Sequence, residues 1–418
     1  MNQGVRTEQV RRTRVSFPAL RHPGFRVYFF ASALAMMADS IEHVISYWVL
    51  FQKFHSQALA GFAVISHWVP FLLFSIYAGA LADRFDPRRI VQLGMLCFMA
   101  ASAGWGYFFV TDTLQMWHAM VLLVLHGFSG VLWMPASQLL VQYIVGGRDL
   151  PSAVRLNATA RWLGLLFGPA VGSAIMIVAG PTYGIFINVV FYLPLLVWLW
   201  KAPYGPRFSG QATAGRGQLR GLAEIRDTVL AIAGNRTIIS MTALAGVTAL
   251  VVGNAYQAQM PEFAEHLGHG DAGVAYSMLL AADAAGALVA GIVLESRGFL
   301  QPSTRTAFML AMMWCVAIAG FAASRSYPLA FGLLFIAGFL QLGFQAMAQT
   351  LVQLHAPADI RGRVIGLYAM SSLGLRAFAG MTVGLLGSVI GIHWSLALSA
   401  LALLAITGGL AAFAVGTR

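Results

Sequence analysis

LAGFAVISHWVPFLLFSIYAGAL, residues 59–81, runs for 23 positions without an Asp, Glu, Lys or Arg. Coiled as an α-helix rising about 1.5 Å per residue, it would extend about 35 Å, enough to cross a hydrocarbon core about 30 Å thick. The stretch before it, Tyr28–Leu50, repeats the pattern, and so does most of the chain: 59% of the 418 residues are hydrophobic, 10% are charged, and the mean hydropathy is +0.74. A soluble domain carries about 25% charged residues and could not hide this much apolar surface. The blocks are apolar on most sides and rich in Gly and Ala, without the alternation of a barrel strand. The expected fold class is an all-α membrane protein of about twelve transmembrane helices. The spans fall near residues 26–52, 59–81, 90–110, 117–144, 155–178, 183–200, 237–260, 272–294, 305–323, 328–353, 364–388 and 394–415.

The net charge of +11 follows from topology and calls for no nucleic acid. Lys53 and Arg325 fall on one side of these spans, Arg161 and Arg376 fall within them, and the other 22 of the 26 basic residues gather on the opposite side. The positive-inside rule makes that side cytoplasmic and places both termini there. Arg11-Arg12 superficially resembles a twin-arginine signal, but the apolar segment that follows is too long for a signal-peptide core and is read as a retained first helix. Cys97 and Cys315 lie in the third and ninth spans as small packing residues, so no disulfide framework is expected. Trp48, Trp68, Trp117 and Trp394, near span ends, read as interfacial anchors.

The one long interruption, residues 201–236, is broken by Pro203, Gly205, Pro206, Gly210, Gly215 and Gly217. It reads as a cytoplasmic linker between an N-terminal bundle, residues 26–200, preceded by a cytoplasmic segment 1–25, and a C-terminal bundle, residues 237–418. The halves echo each other. Gly79-x-x-x-Asp83 recurs as Gly291-x-x-x-Glu295, and Gly168-x-x-x-Gly172 recurs as Gly380-x-x-x-Gly384, both at an offset of 212. Parallel repeats of this kind place a substrate site near the bilayer midplane, between two rocking bundles.

Gly79-Ala-Leu-Ala-Asp83-Arg84-Phe-Asp86-Pro87-Arg88-Arg89 joins a small residue on a packing face to a charged turn. It resembles the signature between the second and third helices of the major facilitator superfamily. That resemblance implies two pseudo-symmetric six-helix bundles and a conformational latch at Asp83, Arg84 and Arg88, with Gly291 and Glu295 as its second copy. Asp86-Pro87 stands where glycine is more common. Gly164-Leu-Leu-Phe-Gly168-Pro169-Ala-Val-Gly172-Ser173 permits close packing and a kink. It is similar to the fifth-helix motif of the superfamily's antiporters and exporters, with Ser173 where a second glycine is frequent. Residues 150–161 and Arg361-Gly-Arg363-Val-Ile-Gly-Leu-Tyr368 resemble the branch of enterobactin-type siderophore exporters and macrolide efflux proteins.

Asp39, Glu42 and His43 stand at i, i+3 and i+4 and share one face of the first span. A carboxylate in lipid costs on the order of 2.5–3.5 kcal/mol even by the gentler scales, so this face is expected to meet an aqueous cavity. Asp39 is the first choice as proton carrier, and Glu42 and His43, nearer the periplasmic end, are the more replaceable. Asp283 and Arg376 are the clear mid-span charges of the second half, and Arg161 lies nearer the cytoplasmic end of its span. The expectation is an ion-pair switch in which Arg376 competes with a proton for an acid of the first half and Arg161 pairs with Asp283. Gln341, Gln345, Gln349 and Gln353 form a four-residue stripe suited to a polar cavity. Glu42, His43 and His67 make an alternative divalent-metal site, whereas His126 reads as a hydrogen-bonded helix residue and not a ligand.

Gly127-Phe-Ser129-Gly130 lacks the spacing of a nucleophile elbow, and no phosphate loop is present, so no enzyme and no cofactor are expected. Asn157-Ala-Thr159 and Asn235-Arg-Thr237 match the glycosylation pattern but fall on the inside face. The function expected is secondary active transport in a bacterial inner membrane: proton-coupled efflux of a small molecule, a drug-like compound or a siderophore, by a monomer. Its partners are that substrate, protons and the lipid bilayer, with no nucleic acid. The alternatives are uptake by proton symport, divalent-metal export, and a non-transporting membrane sensor. The topology has a direct check: fusions at residue 205 and at the C-terminus are expected to be fluorescent with green fluorescent protein and inactive with alkaline phosphatase, and a fusion after Thr113 the reverse.

Overall fold

The computed structural model describes residues 16–209, 222–253, 255–267, 272–297, 301–379, 383 and 386–415. The basic residues before position 16, most of the glycines of the linker and the Gly380-x-x-x-Gly384 repeat lie outside them. The described residues are almost entirely helical and contain no strand.

Each early helix begins where local chemistry dictates. Helix α1, Pro23–Phe54, starts on a proline whose missing N–H costs nothing at that position. In α2, Gln57–Arg84, the Ser56 hydroxyl accepts from the Leu59 N–H at 3.2 Å. The unusual Asp86-Pro87 turn proves to be the start of α3, Pro87–Val110: Asp86 caps the Arg88 N–H at 3.0 Å and Pro87 takes the first helical position. The next run, α4, is continuous from Met116 to Lys201 in hydrogen bonding but breaks at Gly146 (φ 70°) and Gly180 (φ 76°), left-handed conformations that a side chain would resist. The breaks divide it into helices over 116–145, 147–179 and 181–201, matching the fourth, fifth and sixth expected spans.

Beyond residue 209 the first described element was not foreseen: a helix α5, Leu222–Ile232, inside the expected linker. After it come α6, Arg236–Val251, α7, Ala272–Arg297, α8, Thr304–Ala323, α9, Tyr327–His355, α10, Arg361–Ser372, and α11, Ile392–Val415. Asn235 caps α6 through the Ile238 N–H, which gives this Asn-x-Thr a structural role. Two expected spans are not continuous helices. The seventh stops at Val251 and resumes as short helices Ala255–Ala258 and Met260–His266; the eleventh stops at Ser372 and passes into a 3-10 turn, Gly374–Phe378. In the eleventh, the Arg376 Nε–H takes the Ser372 carbonyl at 3.1 Å, and Gly374 packs onto the backbone of Leu72. Hydropathy cannot register such breaks, because it counts side chains and is blind to backbone direction.

Two aromatic cores hold the helices. Phe25, Tyr28, Phe98, Trp133 and Tyr192 are buried together before residue 201, with Phe98 and Tyr192 stacked at 5.3 Å. Tyr256, Phe263, Trp314, Phe321 and Phe344 are buried together after residue 232. Between them the arginine-rich end is sealed. Gly79 lies against the Gly362 carbonyl and Gly366 against that of Ser75, so α2 and α10 touch backbone to backbone. Gly291 of α7 lies against the side chain of Thr159 of α4.

Charge completes the seal. The Asp83 carboxylate accepts from the Gly362 N–H and, at 2.9 Å, from the Arg363 N–H, satisfying two orphan donors at the start of α10. Glu295 accepts from the Ser152 hydroxyl and pairs with Arg155 at 2.8 Å. Arg84 does not reach Asp83; it and Arg363 share Glu224 of α5, each at 3.0 Å. Arg88 does not join the latch either, because Asp86 and the Ala202 carbonyl hold it beside α3. Gly79→Val should cost the sealed arrangement about 1–3 kcal/mol by overpacking. In a chain freed of Cys97 and Cys315, a cysteine placed at Ser75 is expected to resist impermeant thiol reagents applied from the arginine-rich side, and to react once Gly79→Val is added.

Candidate functional site

Asp39 stands half way along α1, and its orientation is fixed from behind. Gly164 packs on Met36, Gly168 on Ser40 and Gly172 on Ile41, so the glycine ladder of α4 grips α1 on both sides of Asp39. Asp39 itself then turns into a cavity of about 380 Å³, walled by α1, α2, α4 and Phe98 of α3 and reached from the other half by Leu373 and Arg376. Pro169 lines the same cavity.

The acids and imidazoles meet there in one cluster. His126 lies between two carboxylates, its Nδ1 2.9 Å from Glu42 Oε1 and its Nε2 2.9 Å from Asp39 Oδ1. The contact to Glu42 is a hydrogen bond; the one to Asp39 is out of line for one. Glu42 is 2% exposed and also accepts from the Ser102 hydroxyl, whose oxygen in turn accepts a hydrogen bond from Asn188 Nδ2 at 3.2 Å. Asp39 is the open end, with 26% of its side chain exposed. The chain Asp39, His126, Glu42, Ser102, Asn188 thus runs from the cavity wall into the protein. His126, read as a hydrogen-bonded helix residue, is hydrogen-bonded and stands at the centre of the cluster, and Glu42, ranked the more replaceable, is the more buried of its two acids. One i+3 spacing on α1 lets both acids reach a single ring on the facing helix.

His43 and His67 stand beside this pair. His43 Nδ1 lies 2.7 Å from the Asp39 carbonyl, and its ring meets those of His67 and His126 edge-on at 5.0 and 4.6 Å. One nitrogen from each of the three rings falls within 4.8 Å of the others, so a d-block cation would find three imidazoles here. The triad differs from the expected Glu42, His43 and His67, since Glu42 is committed to His126 and Ser102. With both its nitrogens facing carboxylates, His126 would have to release one acid before it could ligate.

The arginines are not where the ion-pair expectation puts them. Asp283 accepts from the Tyr256 hydroxyl and from Gln257 Nε2, each at 3.0 Å, and not from Arg161. Arg161 Nη2 donates to the Met134 sulfur at 3.2 Å. The Arg376 guanidinium lies over the Trp68 ring at 5.4 Å, which makes Trp68 a cavity residue and not an interfacial anchor. Both arginines also line a narrower recess of about 60 Å³ with Gln341, Gln345 and Gln349. Gln353 instead hydrogen-bonds Gln138 at 3.0 Å. Gly253 and Leu373, at the breaks in the seventh and eleventh spans, line the recess too, so the non-helical backbone occurs where a cavity tolerates it.

Residues 14–416 match the family model described as "Transmembrane secretion effector". No curated protein matches the sequence. Among solved structures, the chain is similar to the major facilitator superfamily transporter FucP in the outward conformation (TM-score 0.77, 12% identity, 96% of this chain and 100% of that one). It is also similar to a variant of the Escherichia coli fucose:proton symporter FucP (0.72, 12%, 94% and 100%). The human organic anion transporter MFSD10 (TETRAN) follows at 0.71, 13% identity, 94% and 99% coverage. At these identities the likeness is one of fold.

The burial order within the cluster sets a stability order. Removing one partner of a buried ion pair costs about 3–5 kcal/mol because the other is left uncompensated. Glu42→Gln is therefore expected to lower the unfolding temperature of the detergent-purified chain markedly more than Asp39→Asn, read by intrinsic fluorescence on heating. Equal shifts would contradict the assignment of Glu42 as the anchor.

Proposed function

The chain belongs to the major facilitator superfamily, in its transmembrane secretion effector family, and from that premise we propose that this secondary transporter is driven by protons and exports a small organic molecule by alternating access. One observation carries the proposal: the Asp39–His126–Glu42 cluster sits on the wall of a cavity shared by both halves, with its most exposed member facing the cavity.

The chemistry follows from that placement. A proton arriving from the cavity adds to the Asp39 carboxylate and cancels its attraction for His126, which stays anchored to Glu42. The local charge rises by one unit in a low-dielectric wall, where one unit matters most. Met36 and Ser40 flank Asp39 and rest on the α4 glycine ladder, so a change at Asp39 is felt directly by the packing of α1 on α4. The halves, residues 26–200 and 237–418, would then rock about the cavity while the contacts at Asp83, Glu224 and Glu295 break and re-form. The surroundings proposed are a bacterial inner membrane, with both termini cytoplasmic and the chain acting as a monomer.

Export is favoured by the Gly164–Gly172 motif and by the resemblance to siderophore and macrolide exporters. Uptake by symport is the second reading, supported by the proton symporter among the structural neighbours. Everted membrane vesicles carrying the chain should accumulate at least one compound of a chemically diverse panel when a proton gradient is applied. Asp39→Asn is expected to abolish that accumulation, and His126→Gln to reduce it at least tenfold. Accumulation indifferent to the gradient, or to Asp39→Asn, would remove proton coupling from this cluster; gradient-driven loss from vesicles would reverse the direction.

A further inference from the structure

We infer that the transported molecule is an organic anion with an aromatic body, its acidic group held between Arg161 and Arg376. The inference rests on reading the cavity as the substrate's site and adds the substrate's chemical class.

The argument begins with charge. The acids of the cavity and its surroundings are committed elsewhere: Asp39 and Glu42 to His126, and Asp283 to Tyr256 and Gln257. Arg161 and Arg376 both line the cavity and its recess, yet among the described residues neither has a carboxylate within the 4.0 Å of an ion pair. Their partners are a thioether, a backbone carbonyl and an indole face. A guanidinium offers five donors, and most of these ten remain for a ligand. Asp39 shares the cavity wall but is turned to His126; two cations in a low-dielectric wall with no carboxylate paired to either are costly, and an arriving anion lowers that cost.

The arginines come from opposite halves, Arg161 from α4 and Arg376 from the turn after α10. A carboxylate or phosphate ester between them would bridge the halves, and guanidinium geometry suits a two-oxygen acid better than a point charge. Beside Asp39 and the imidazoles of His43 and His67, the wall carries the aromatic rings of Phe71, Phe98 and Trp133, with Trp68 already under Arg376. A space of about 380 Å³ takes a drug-sized body, and these rings favour a flat one. An inorganic anion would leave that wall unused, and an organic cation would face two like charges.

The test uses the intact chain in lipid nanodiscs, without a gradient, and isothermal titration with three probes of nearly one shape: 1-naphthylacetate, 1-naphthylacetamide and 1-naphthylmethylamine. The carboxylate is expected to bind about tenfold or more tightly than the amide, the size of one charge-assisted pair, and the amine most weakly. Arg161→Gln and Arg376→Gln should each bring the acid-to-amide ratio close to one, and Arg376→Lys should retain part of it. Equal binding of the three probes, preference for the amine, no carboxylate binding at millimolar concentration, or a ratio unchanged in both glutamine variants would each overturn the inference. The wild-type comparison stands even if a variant fails to fold. Because no gradient is applied, a carboxylate preference with no proton-driven flux would sink the transport reading alone, and flux without that preference would sink only this one.

Discussion

A charge inside a hydrocarbon slab must be neutralised, paired or given water, because the medium around it has almost no capacity to screen it. That constraint organises this molecule at two depths. At the arginine-rich end, where water is near, carboxylates and guanidiniums from different helices pair densely and hold the halves shut. In the middle, where water is scarce, two acids are gathered onto one imidazole and two arginines are left facing an open space. The aromatic cores do the ordinary work of packing. The partition of charge sets the closed end apart from the cavity.

The seal also shows how one short motif can serve several partners. Asp83 is a helix cap supplied from another helix: it satisfies backbone donors of α10 that its own first residues leave orphaned. Such a cap holds only while the two helices touch, and it leaves the N-terminus of α10 unsatisfied when they part. Gly79 and Gly362 make the contact possible by removing side chains from it. Sequence and geometry therefore converge on a joint that is strong when closed and has a defined cost to open.

The spans were legible almost throughout, since hydrophobic length reports them directly. Asp39 was legible because a carboxylate in an apolar run has few innocent explanations. His126 was not, because its role depends on how the fourth helix is rotated toward the first, and a buried histidine with no nearby acid in sequence looks structural. The breaks after Val251 and Ser372 left only weak signals, Gly253 with Pro261 in one case and Gly374 in the other, inside stretches whose hydropathy never falters. Glu224 went unnoticed for the opposite reason: its short helix lies in a segment whose glycines and prolines argued for an irregular connection. The Arg161–Asp283 pair expected from complementary charge is absent because hydrogen-bonding residues, Tyr256 and Gln257, already hold Asp283.

Glu224 has a consequence for the chain that joins the halves. It grips one arginine from each side, and it is carried on the same polypeptide that connects them. Its encounter with the two guanidiniums is therefore intramolecular, at an effective concentration fixed by the tether and not by the amount of protein present. The length of chain on either side of α5 therefore bears on how readily Glu224 meets the two guanidiniums, without touching a residue of the cavity.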